Sequence, residues 1–257
     1  MTDKGVQKQL PLHASWRHLL IYILALSGYL LLPFVLILAF GAISAGGYWE
    51  WLNGIGFVAF ALCLYLFVER ARPKTWPRLR GDLFYWWHRL LAFAMLFFST
   101  VHGVGFLVLE PTSLEYLSLR APWHMLVAWL AWILFAYLCF ASLRPFRRRL
   151  HGKHYSFRVS HALCSIVAML ASFYHIVGSD FYLKSYIAWA ACSILLVLFL
   201  LYYGLNRQAQ KMSLSKALLG ETDEARMSLS GAQKTVLSVY LFVCCAVLSG
   251  GLYVVTR

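Results

Sequence analysis

Four of the nine histidines fall inside long apolar stretches, where an ionisable side chain is costly and tends to mark function. They come as two pairs. His88 and His102 share the stretch DLFYWWHRLLAFAMLFFSTVHGVGFL, and His161 and His175 share YSFRVSHALCSIVAMLASFYHIVG. The members of each pair are 14 residues apart. That is close to four turns of α-helix, so both members lie on nearly one face, about 21 Å apart along the axis. A left-handed bundle with a 3.5-residue repeat aligns them better still. Two imidazoles facing each other across an interhelical gap supply both axial ligands of one heme iron. With both helices expected to run outward from the cytoplasm, His88 meets His161 at the inner level, nearer the cytoplasm, and His102 meets His175 at the outer level. Two such levels give two stacked b-type hemes within a hydrocarbon layer about 30 Å thick. A lone intramembrane histidine is as readily a helix–helix hydrogen-bond donor or a proton-relay group. Two equal spacings on two helices of the same direction favour the paired-heme reading.

The neighbouring residues suit a porphyrin. Ala92, Ala94, Ser99, Thr100, Gly103 and Gly105 are small enough to let a flat macrocycle approach span three, though small residues equally serve close helix packing. Arg89 and Arg158 sit at the cytoplasmic ends of the two histidine helices and are candidate partners of heme propionates. Positive-inside anchoring explains them almost as well. Phe97, Phe98, Phe173 and Tyr174 lie near the outer level, with core packing as their default role. Of the other histidines, His13, His18, His151 and His154 read as solvated or lipid-facing; His124 could touch the outer heme's propionates or an acceptor, but reads first as an ordinary interfacial residue.

The elements that must carry these side chains follow from composition. The chain has 257 residues, 61% of them hydrophobic and 13% charged, with a mean hydropathy of +0.67. Soluble domains average about 45–50% apolar and about 25% charged, so the fold class is all-α, a polytopic membrane helical bundle. Seven spans are predicted, at roughly 18–44, 49–68, 83–109, 123–143, 157–177, 185–204 and 235–255. The first is too long for a signal-peptide core and reads as an uncleaved anchor. Twenty of the 23 Lys and Arg residues fall in the N-terminal tail, in alternate loops, or at the mouth of span three. That bias predicts a cytoplasmic N-terminus and an outward C-terminus. The net charge of +13 is thus topological, and no nucleic-acid partner is expected.

The expected organisation is a cytoplasmic tail (1–17), a six-helix heme-binding domain (18–204), a cytoplasmic linker (205–234) and an additional C-terminal span (235–257). No loop is long enough for a soluble domain. Neither a G-x-G-x-x-G loop nor a P-loop occurs, so a flavin or nicotinamide module must come from elsewhere. Cys63, Cys139, Cys164, Cys192, Cys244 and Cys245 lie in apolar stretches without a C-x-x-C. They read as packing residues rather than as a zinc or covalent-heme site.

The two H-x13-H pairs resemble the ferric reductase-like transmembrane domain family. That family includes the membrane cores of NADPH oxidases and ferric reductases, and the heme-binding membrane subunit of the periplasmic methionine sulfoxide reductase system. The run Arg149-Leu150-His151-Gly152-Lys153-His154-Tyr155, followed by His161 and Phe173-Tyr174-His175, is similar to that subunit's basic loop, aromatic and histidines. The resemblance covers about 80–205. It implies heme at the four histidines and electron transfer across the membrane. The oxidases and ferric reductases continue into a cytosolic flavin and nicotinamide module that this chain lacks. The methionine sulfoxide reductase subunit lacks a counterpart of His88.

The function expected is transmembrane electron transfer by a diheme cytochrome in the inner (plasma) membrane. Its partners would be membrane lipid, a cytosolic flavin reductase-type donor and an extracytoplasmic redox acceptor, with any flavin on the donor. With histidine on both faces, each iron has no open position, and one-electron transfer is the chemistry left. A quinol-linked diheme cytochrome b, a heme- or proton-handling transporter, and a structural anchor for a redox enzyme are the competing readings.

Overall fold

The computed structural model describes residues 16–40, 47–69, 81–152, 154–179 and 229–255, with isolated positions between 186 and 201. Its long helices are α1 (Trp16–Phe40), α2 (Gly47–Glu69), α3 (Gly81–Leu109), α4 (Trp123–Ala141), α6 (His154–Gly178) and α7 (Gly231–Val255). A short helix, α5 (Arg144–His151), lies between α4 and α6, and a 3-10 helix (Pro111–Leu117) lies between α3 and α4. The described residues contain no strand. Helices α2, α3, α4, α6 and α7 each contain a run long and apolar enough to cross a membrane. In α1 the described apolar run is Leu19–Leu32. The chain is therefore an all-α, multi-pass membrane bundle. The predicted sixth span (185–204), the tail before residue 16 and most of the linker (205–234) lie outside the described residues.

Packing divides the bundle. Helices α1 and α2 pack along each other, as do α2 and α3, and α6 lies chiefly along α4. The histidine helices α3 and α6 both lean on α4 and α2 rather than on each other's backbones. The core is densest on the α1–α2–α3 side, where Leu52, Ile55, Val58, Leu62, Trp87, Leu91 and Phe98 are fully buried. Polar groups in it are paired, as a low-dielectric interior requires. The Trp87 Nε1–H donates to Tyr22 Oη at 2.6 Å, and Tyr22 Oη in turn shares a 2.7 Å bond with Tyr65 Oη. Trp132 Nε1–H donates to Thr100 Oγ1 at 2.9 Å and ties α4 to α3.

The C-terminal span, for which the sequence suggested no role, is part of this core. Helix α7 packs on α1, α2 and α3. Trp51 Nε1–H donates to the Leu248 carbonyl at 2.6 Å, and Ser27 Oγ and Tyr240 Oη share a 2.6 Å bond. Its start is a capping box: Gln233 N–H donates to Ser230 Oγ at 3.2 Å, and Ser230 N–H donates to Gln233 Oε1 at 2.9 Å.

At the start of α2, Tyr48 Oη and Trp49 Nε1 each donate to Glu110 Oε2 at 3.3 Å, and Thr112 Oγ1 donates to Glu110 Oε1 at 2.8 Å. This carboxylate latches the start of α2 to the end of α3.

Candidate heme site between the third and sixth helices

The short α3–α4 and α4–α6 connections turn the chain twice, so α3 and α6 run in the same direction. As the sequence spacing requires, His102 meets His175 and His88 lies near His161. The His102 and His175 ring centroids are 6.3 Å apart and their planes cross at 75°. His88 is within electrostatic reach of His161.

At the His102/His175 level both rings are held from behind. His102 Nδ1 lies 2.8 Å from the Leu52 carbonyl of α2, and His175 Nδ1 lies 3.2 Å from the His124 carbonyl of α4. A carbonyl oxygen only accepts, so each Nδ1 carries the hydrogen and each Nε2 keeps its lone pair. This is the outer-shell arrangement that orients a metal-bound imidazole. Phe106, one turn beyond His102, packs edge-on against it at 5.3 Å.

At the His88/His161 level the arrangement differs. Both Nδ1 atoms are buried and have no hydrogen-bond partner. Each ring is backed by a phenylalanine one turn earlier on its own helix, Phe84 against His88 at 5.6 Å and Phe157 against His161 at 5.2 Å.

The donor set fits a bis-imidazole heme. With each Nδ1 tied to a backbone carbonyl, the Nε2 atoms of His102 and His175 are the donors that would hold the iron. Among the described residues no three His, Cys, Asp or Glu side chains converge as a cage for a metal ion, and a heme held by two axial ligands needs none.

The arginines flank the inner level. Arg89 follows His88 and is half-buried, whereas Arg158 stands three residues before His161 and is exposed. Of the aromatics near the outer level, only Phe98 is in the core. Phe97, Phe173 and Tyr174 are 42%, 47% and 49% exposed, which corrects their default assignment to the core.

Beyond the paired histidines, His124, Gly178, His151 and Gly56 contribute, in ways the sequence did not specify. His124 is no ordinary interfacial residue: its carbonyl bonds His175, and its ring stacks on that of His175 with centroids 6.3 Å apart. Gly178 makes the approach possible, since a Cβ there would lie 2.7 Å from the His124 Cβ. His151 is half-buried rather than solvated. Its Nε2 bonds Tyr137 Oη at 3.0 Å, Tyr137 Oη bonds Ser160 Oγ at 3.0 Å, and its ring packs on Phe157 at 5.5 Å. Gly56 lies under the His102 ring. The available signals were a G-x-G inside an apolar span and a histidine bounded by glycine at the end of a basic run.

Residues 54–172 match the family model described as ferric reductase like transmembrane component. The match takes in α3, α4 and α5 and all but the last turns of α6, so it includes His88, His102 and His161 and stops three residues before His175. Comparison with curated proteins and with solved structures found no match. The segment 54–172, which carries His88, His102 and His161, is thus similar to the ferric reductase-like transmembrane component.

Proposed function

We propose that the chain is a diheme b-type cytochrome that moves electrons across the membrane, from a cytosolic flavin/NAD(P)H-linked donor to an extracytoplasmic acceptor. His88 and His161 would ligate the inner heme, and His102 and His175 the outer one. Arg89 and Arg158 would neutralise propionates of the inner heme. The observation that carries this reading is the outer pair: two imidazoles face each other at 6.3 Å, each with its Nδ1 tied to a backbone carbonyl.

When bound, the hemes supply one-electron redox chemistry. The chain's own residues do the rest. Imidazoles on both faces leave no open coordination position, which keeps ligand chemistry away from the iron. The buried Met95 and Ala168, each seven residues from both histidines of its helix, separate the two levels and exclude water between them. The exposed Arg144, Arg148 and Arg149 of α5 offer a cationic surface on which an acidic donor would dock. A flavin reductase-type protein is the donor this reading calls for, since the 257 residues carry neither a G-x-G-x-x-G loop nor a P-loop.

The test is spectroscopic. Purified protein is expected to show a Soret band and low-spin bis-histidine heme, reduced by half in His88→Ala/His161→Ala. No Soret band, or one unchanged in that variant, would sink the assignment.

A further inference from the structure

The two histidine levels are built differently, and the difference traces to the backbone of α2. The Leu52 carbonyl already serves its own helix, yet it has a second lone pair for the His102 Nδ1–H at 2.8 Å. The ring reaches it because residue 56, one turn further on, is glycine. A Cβ at Gly56 would stand 2.7 Å from His102 Nδ1 and 2.9 Å from Cε1. Those atoms belong to a ring packed against Phe106 on one side and His175 on another, so the ring has little freedom to yield. The glycine therefore has a specific use: it opens the face of α2 on which the imidazole rests.

We propose that Gly56 and the Leu52 carbonyl form a backbone seat that fixes the tautomer and direction of His102, and that the outer level is thereby the lower-potential of the two. The proposal rests on the diheme reading. Donating Nδ1–H to a carbonyl makes an imidazole a more basic ligand, and a more basic ligand favours the ferric state. Both outer histidines make this bond, His102 to Leu52 and His175 to His124. Neither inner histidine does, since both buried Nδ1 atoms lack a partner. Axial ligand identity is the same at both levels, so hydrogen bonding behind the ligand is the lever that separates them. Gly56 is a positioning residue: it touches the ligand and acts through it.

The test uses full-length protein and reads heme content, optical redox titration and electron paramagnetic resonance together. In wild type, two components should titrate at separate midpoints. His88→Ala/His161→Ala should retain the lower-midpoint component; retention of the higher one would overturn the proposal. Gly56→Ala should raise the midpoint of the lower component and alter its low-spin signal, or empty that level alone, while the other component stays in place. Gly28→Ala on α1, where a Cβ meets nothing within 4 Å, should overlay wild type. Gly56→Ala protein with both components and both signals unchanged would overturn the proposal, and so would Gly28→Ala acting as Gly56→Ala does. If Gly56→Ala does not fold, the double-histidine variant alone decides. A wild type that binds no heme would instead refute the diheme reading, so the two failures are distinct.

Discussion

At the residue scale, the four paired histidines are distinguished by what stands behind each ring. Leu52 and His124 offer carbonyls to the outer pair, and the inner pair is backed by Phe84 and Phe157. Replacement of His102 or His175 by Ala is expected to remove one heme and leave the inner one, halving the heme-to-protein ratio in a pyridine hemochrome assay. Trp87→Phe removes the donor to Tyr22 Oη, which keeps its bond to Tyr65. The expected cost is about 1 kcal/mol of stability, measured by denaturant or thermal unfolding in detergent, with heme content unchanged. The paired histidines were legible because a 14-residue spacing within a helix is fixed by the helix alone. The roles of His124, His151 and Gly56 were not, because each depends on which helix packs beside which. No periodicity within one segment encodes a carbonyl offered by another.

At the scale of elements, helix ends carry the local information. The Ser230–Gln233 capping box that starts α7 is readable from its S-x-x-Q spacing, and Ser230→Ala is expected to cost about 1 kcal/mol with fraying at the start of α7. Amide exchange near residue 231 would report it. Helix α5 ends at Gly152, whose φ of 56° favours glycine; Gly152→Ala is expected to cost about 1 kcal/mol and to loosen the His151–Tyr137 bond. The sequence reading merged α5 into a basic loop, since a run of arginines masks an eight-residue helix. Pro145 in the first turn and glycine just past the end were the signals of it. Five of the seven predicted spans coincide with helices long and apolar enough to cross a membrane, because about 20 apolar residues are a physical requirement of crossing. Their starts and ends shifted by a few residues where caps, not hydropathy, decide.

At the scale of the molecule, two features work together. The basic residues gather on one predicted face, and the α1–α2–α3–α7 side of the bundle supplies a rigid wall against which His102 is seated. If an acidic donor docks on the basic face, electron transfer into the inner level should slow roughly tenfold between low and physiological ionic strength. Stopped-flow reduction by an acidic flavoprotein measures this, and neutralising Arg144, Arg148 and Arg149 together should flatten the salt dependence. The most direct measurement of the central claim is heme stoichiometry combined with optical redox titration on the purified full-length protein. Two b-type hemes per polypeptide titrating at separate midpoints are expected; one heme, or none, would contradict the assignment of His88, His161, His102 and His175 as two ligand pairs.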